Sequence, residues 1–142
     1  MKNKKTKYLK SLQDLELFAG CSTSELERVR KLVTGIRVEP GTVLLKEGTL
    51  GREFLIITDG EAVVTSDDGI LATLGAGDFA GEMSLLSGEP RSATVTAATT
   101  LELFVCNPGE FASLLDVSPA AGMRIALTGK ARREANERVH AA

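Results

Sequence analysis

The residues best suited to chemistry lie in one interval, Gly77 to Val95, between runs of alternating apolar residues. Its centre, Glu82 to Leu86, is long enough only for a short helix, with Gly81 before it and Gly88 after it. A helix start offers unpaired N–H groups and a partial positive charge, which together suit an anion. Gly81 has no Cβ, so a ligand can approach the backbone there. Arg91 follows at the mouth of a strand, and its planar guanidinium can grip a phosphate through two parallel hydrogen bonds. Glu82 supplies an acceptor suited to a sugar hydroxyl. Each residue also has a plainer reading when taken alone. Arg91 would be a surface arginine, Glu82 an acid favoured by the helix dipole, Ser92 a strand serine, and Val64 and Leu71 core residues.

The elements around this interval divide into three stretches. Residues 1–34 read as helical. Leu12, Leu15, Leu17 and Phe18 cluster, and Ser22 with Glu25 three residues later fits a capping box. Leu26, Val29 and Val33 then give one apolar face. Residues 35–107 read as short strands: Val43–Leu45, Phe54–Ile57, Ala62–Thr65, Ile70–Leu74, Ala93–Ala97 and Leu101–Val105. Asp59-Gly60 and Asp68-Gly69 are turn pairs suited to positive φ. Residues 108–142 return to helix, with a short helix from Gly109 to Leu115 and a stop and restart at Ser118-Pro119. The last helix carries Met123, Leu127, Ala131, Ala135 and Val139 as its apolar face, with Lys130, Arg132, Arg133 and Arg138 as cations near its end. Gly129 and the thin apolar face mark it as weakly stable alone. The expected architecture is mainly β with flanking helices. It is an antiparallel jelly-roll barrel (a double-stranded β-helix) with N-terminal helices and a C-terminal lid helix, as one domain over 1–142.

Composition excludes several functions. A net charge of −2 is too small and of the wrong sign for bulk attraction to nucleic acid. Cys21, Cys106 and the lone His140 fit no zinc spacing, and the cysteines read as small buried apolar residues. A metal-dependent jelly-roll enzyme would need facing histidines or carboxylates that the strands lack. No apolar run approaches the ~20 residues of a membrane span. The basic start, Lys2 to Lys10, is followed by no signal-peptide core and reads as a solvated tail. A soluble cytoplasmic protein is expected.

Two segments decide between the plain and the functional readings: Phe79-Ala80-Gly81-Glu82-Met83-Ser84-Leu85-Leu86 and Pro90-Arg91-Ser92-Ala93-Thr94-Val95. Together they resemble the phosphate-binding cassette of cyclic nucleotide-binding domains, found in bacterial catabolite activators, regulatory subunits of cyclic AMP-dependent protein kinase and cyclic nucleotide-gated channels. The likeness extends through Leu15 to Phe18, the stretch Phe54 to Val64, and Gly41, Gly60, Gly75 and Gly77. It implies that Arg91 pairs with the cyclic phosphate and that Glu82 accepts from the ribose 2′-hydroxyl. The N–H groups of Met83 and Ser84, beside Gly81, would add anion contacts. Ser92 would lie near phosphate or base, with Val64 and Leu71 against the base. Cyclic GMP-selective relatives often carry Thr directly after the arginine, so Ser92 favours cyclic AMP, with a cyclic GMP sensor as the alternative. Arg133, Asn136 and Glu137 are candidates to cap the base from the last helix. An empty pocket is expected to leave Arg91 without a buried partner.

The resemblance implies an allosteric sensor and no enzyme, because neither a metal site nor an acid–base pair accompanies the cassette. No cofactor is expected beyond the ligand itself. The expected partners are the cyclic nucleotide and an effector protein or domain, with no membrane, no nucleic acid bound by this chain alone, and a monomer or weak homodimer. The chain ends at Ala142, too early for a helix-turn-helix domain. It reads as a stand-alone sensor or as the regulatory piece of a longer transcription factor, acetyltransferase or channel.

Overall fold

The structure is a computed structural model that describes residues 12–141, with side chains described as far as Asn136. The basic tail at Lys2–Lys10 and the side chains of Glu137, Arg138, Val139 and His140 lie outside the described residues.

A 3-10 turn at Glu16–Phe18 and helix α1 (Thr23–Arg30) open the described chain. The capping box forms as the spacing predicts: Ser22 Oγ accepts from Glu25 N–H, and Glu25 Oε1 accepts from Ser22 N–H, both at 3.1 Å. Eight strands follow: β1 (Thr34–Val38), β2 (Val43–Leu45), β3 (Phe54–Asp59), β4 (Ala62–Ser66), β5 (Gly69–Leu74), β6 (Phe79–Ala80), β7 (Thr94–Ala97) and β8 (Leu101–Cys106). Short helix α2 (Glu82–Ser87) interrupts them between β6 and β7, and α3 (Pro108–Val117) and α4 (Pro119–Ala141) complete the order. The strands form two four-stranded antiparallel sheets, ordered β1-β8-β3-β6 and β2-β7-β4-β5. The expected jelly roll is thus two stacked sheets, not one ring closed by hydrogen bonds.

The unbroken apolar run of β3 follows from its place between two cores. Alternate side chains of a strand face opposite ways. Leu55 and Ile57 point into the space between the sheets with Leu45, Ala62, Val95 and Leu103. Phe54 and Ile56 point the other way, into a core with Phe18, Val29, Phe111, Leu114 and Ile125 from the helices. The Phe54 ring sits 5.6 Å from Phe79 and 4.8 Å from Phe111, both tilted, as aromatic quadrupoles prefer. The β3–β4 hairpin turns on Asp59-Gly60, where Gly60 takes φ 95°.

The last helix differs from the sequence expectation. Met123 and Leu127 are 66 % and 62 % exposed, so they do not form its packed face. Ala121, Ile125 and Gly129 do, and all three are buried. Arg124 reinforces that seating by donating to the carbonyls of Leu17 and Ala19, each at 2.9 Å. Gly129 is a contact point: a Cβ there would stand 3.4 Å from Glu82 Cγ and 3.6 Å from Leu86 Cδ1. Ile125 fills the helical core and Gly129 faces inward where α4 comes close to α2, while Met123 and Leu127 rotate outward.

Candidate functional site

Gly81 takes φ 99°, a left-handed conformation that glycine adopts without strain, and it turns β6 directly into α2. That turn sends Glu82 inward. Glu82 is 1 % exposed, and its Oε2 has no hydrogen-bond partner. The N–H groups of Met83 and Ser84 belong to the first helical turn and have no intrahelical acceptor. Ser84 is buried, accepts from Gly51 N–H at 3.2 Å and donates to Glu89 O at 2.6 Å. It thereby ties both ends of the cassette to the loop between β2 and β3.

Arg91 follows the Leu50–Pro90 bridge and leads into β7. Its backbone is clasped by the same loop: Arg91 N–H donates to Thr49 O at 2.7 Å, and Gly48 N–H donates to Arg91 O at 2.8 Å. The side chain is buried, unlike the surface arginine of the plainer reading, and it has partners without a ligand, where none was expected. Nη1 donates to Gly81 O at 2.9 Å, Nη2 donates to Glu53 O at 2.7 Å, and the Glu53 carboxylate lies 3.9 Å away. Burial pushes the guanidinium below its ordinary pKa, while Glu53 and Glu82 pull it back up. The guanidinium fork keeps further N–H groups beyond these two bonds.

These groups share one cavity of about 230 Å³. The residues predicted from the cassette and the barrel strands all line it: Gly81, Glu82, Met83, Ser84, Arg91, Ser92, Val64 and Leu71. Leu45, Ala72, Leu74, Ala80 and Val95 extend its apolar wall. One side is therefore greasy and the other carries a buried cation, a buried carboxylate and unpaired N–H groups. That division suits a ligand with a flat apolar part and an anionic part. No cluster of three or more His, Cys, Asp or Glu side chains able to hold a metal occurs among the described residues.

Helix α4 supplies what the sequence reading misplaced. Arg132, read as a cation favoured by the helix dipole, forms an ion pair with Glu82 Oε1. It also donates to Phe79 O at 2.9 Å, and its guanidinium lies 5.2 Å from the Phe79 ring centroid. Arg132 thus brings a second full positive charge to the cavity beside Arg91. Asn136, one of the proposed capping residues, lines the cavity and donates to Ser92 Oγ at 3.2 Å. Arg133, another, is exposed, and the Glu137 side chain lies outside the described residues. The signal was present: Gly129, Arg132 and Asn136 are spaced by three and four, so they share one helix face. Gly51 and Glu53 carried no such signal, because they reach Arg91 only through the folded loop.

Known proteins carry the same architecture. A cyclic nucleotide-gated potassium channel of Rhizobium etli is 39 % identical over 112 residues, which is 79 % of this chain and 31 % of the channel. A cAMP-dependent protein kinase regulatory subunit of Yarrowia lipolytica is 37 % identical over 106 residues, 73 % of this chain and 28 % of that protein. The chain thus spans about a third of the length of these curated relatives. Among solved structures, cAMP-bound PfPKA-R superposes with a TM-score of 0.79 at 27 % identity, covering 89 % of this chain and 45 % of that one. The catabolite activator protein of Thermus thermophilus superposes with a TM-score of 0.73 at 27 % identity, covering 87 % of this chain and 61 % of that one. The cyclic nucleotide-binding domain family matches residues 36–118, which run from β1 through the cassette to the end of α3. With the cassette, the two-sheet fold and these matches in agreement, the chain belongs to the cyclic nucleotide-binding domain family.

Proposed function

We propose that the chain binds cyclic AMP in this cavity as a regulatory sensor module and leaves it chemically intact. One observation carries the reading: Glu82, whose buried Oε2 has no partner, lines the same cavity as the buried guanidinium of Arg91. An unsatisfied buried acceptor is costly. A ribose hydroxyl would satisfy it while the cyclic phosphate takes the free N–H groups of Arg91, Met83 and Ser84. The apolar wall at Val64 and Leu71 would take the base. Ser92 in place of threonine favours adenine over guanine.

The response runs through α4. Its Arg132 holds the Glu82 carboxylate that the ribose would also use, and its Asn136 holds Ser92. A bound ligand changes the partners of both, so it shifts the population of α4 positions by its differential affinity for them. An effector protein or domain in the cytoplasm reads that shift. The kinase and channel relatives support such a coupling, since in each the matching segment is a minor part of the whole.

Equilibrium binding of cyclic AMP to the wild type and to Arg91→Ala tests the reading. Truncating one side of a buried, charge-assisted pair costs on the order of 2–5 kcal/mol, so affinity falls by roughly 30-fold to several thousand-fold. Arg91→Lys recovers part of the loss, because an ammonium lacks the bidentate fork. A folded Arg91→Ala protein that binds like wild type would place the phosphate elsewhere and remove the proposal.

A further inference from the structure

Most glycines of this chain sit at positive φ, where the backbone itself requires them, but Gly51 does not. Its φ imposes no requirement for glycine, and what excludes a side chain is Arg91. A Cβ built on Gly51 would stand 2.6 Å from Arg91 Nη2 and closer still to Cζ and Nε, well inside van der Waals contact. The guanidinium therefore rests on the bare backbone of the loop between β2 and β3. Gly81 lies against the same guanidinium, where a Cβ would meet Nη1 at 2.9 Å. The loop cannot easily move away to relieve a clash. Gly48, Thr49 and Gly51 are each hydrogen-bonded to Arg91 or Ser84 of the cassette. Nη2 is likewise fixed by Glu53 O at 2.7 Å.

We propose that Gly51 is a positioning residue for the phosphate-binding arginine: its missing side chain is the space in which the Arg91 guanidinium lies, aimed into the cavity. The proposal rests on the reading of Arg91 as the phosphate ligand. A methyl group at position 51 displaces the guanidinium from both carbonyls, and the fork no longer presents its free N–H groups at the same place. Bidentate recognition is sensitive to such a shift because both hydrogen bonds depend on one plane.

A double-mutant cycle tests it, with cyclic AMP affinity and ligand-free thermal stability as the two readouts for wild type, Gly51→Ala, Arg91→Ala and the double variant. Gly51→Ala is expected to weaken cyclic AMP binding by about tenfold or more and to lower the thermal midpoint. In the Arg91→Ala background the same substitution is expected to change neither, since the space is then vacant. A glycine needed only for the shape of the loop would cost the same in both backgrounds, and that result overturns the proposal, as does a Gly51→Ala protein that binds and melts like wild type. Should Gly51→Ala fail to fold, the double variant decides: folding supports the clash with Arg91, and failure refutes it. If wild type itself does not bind cyclic AMP, the sensor reading falls, while the ligand-free melting cycle still reports whether Arg91 occupies the space beside Gly51.

Discussion

Glu82 and Arg91 are buried charges set at one cavity, and each makes a separate demand on the ligand. If Glu82 accepts from the ribose 2′-hydroxyl, the 2′-deoxy analogue of cyclic AMP loses a hydrogen bond to a charged acceptor. Such bonds contribute about 1.5–3 kcal/mol, so the analogue should bind the wild type roughly ten- to hundredfold more weakly. In Glu82→Ala the two ligands should bind alike. Competition measurements that find the same discrimination in both proteins would take Glu82 out of the ribose contact. Ser92→Thr is expected to shift preference toward cyclic GMP, because position 92 lies beside both Arg91 and the cavity. An unchanged ratio of the two affinities would remove it from the specificity argument. Cys106 supplies a pH signature unrelated to binding. Burial, with a smaller contribution from Glu110, pushes its thiol up to about 12 from an ordinary 9.0. Its neutral form is thus the folded form. The stability it confers is complete below its unfolded pKa and declines as pH rises from there toward the folded value. Cys106→Ala should flatten that alkaline loss in denaturation curves taken from pH 8 to 11 (~three pH units). Parallel curves for the two proteins would contradict the assignment.

Helix α4 carries the proposed response, and it is also where sequence reading and structure part company. Its stop and restart at Ser118-Pro119 were legible, as were six of the eight strands (β1 and β6 were not), the capping box at Ser22 and the short helix at Glu82. These features depend on neighbours in sequence, and local rules describe them well. The inward face of α4 was not legible, because hydrophobicity pointed to Met123 and Leu127, while the fold turned Ala121 and Ile125 into the helical core and close approach to α2 selected Gly129. The burial of Arg91 against Glu53 and Gly51 was equally hidden, since it arises from contacts across about forty residues of chain. Gly129 lends itself to a graded test. Alanine fits the space at ordinary contact distance and improves helix propensity by up to ~1 kcal/mol, so Gly129→Ala should hold or raise the melting temperature. Gly129→Leu should force α4 off α2 and lower it. If both variants melt alike, α4 does not pack through position 129. Amide exchange across Arg124 to Asn136 should slow when cyclic AMP saturates the protein, because ligand and helix would then hold each other. Protection that is identical with and without ligand would end the role of α4 as a lid.

The whole molecule joins two cores through β3, β6 and β8, each of which sends side chains into both. Phe54 and Ile56 of β3 belong to the helical core, and Leu55 and Ile57 to the space between the sheets. Arg91, held by Glu53 O at the start of that strand, stands at the junction. Its loss therefore reaches beyond the ligand. Arg91→Ala leaves two carbonyl groups without their donors, and unliganded stability should fall by about 1–3 kcal/mol in chemical denaturation. An unchanged denaturation midpoint would show that the two carbonyl bonds contribute nothing to the fold. The pairing of buried cation and buried carboxylate at one cavity is intelligible if a ligand completes it, and cyclic AMP has the required parts. A calorimetric titration of the intact chain with cyclic AMP, in the presence of EDTA, tests this most directly. The account predicts saturable binding of one ligand per chain, with the ligand recovered intact. Absence of binding at millimolar cyclic AMP, dependence of binding on metal, or accumulation of AMP during the titration would contradict it.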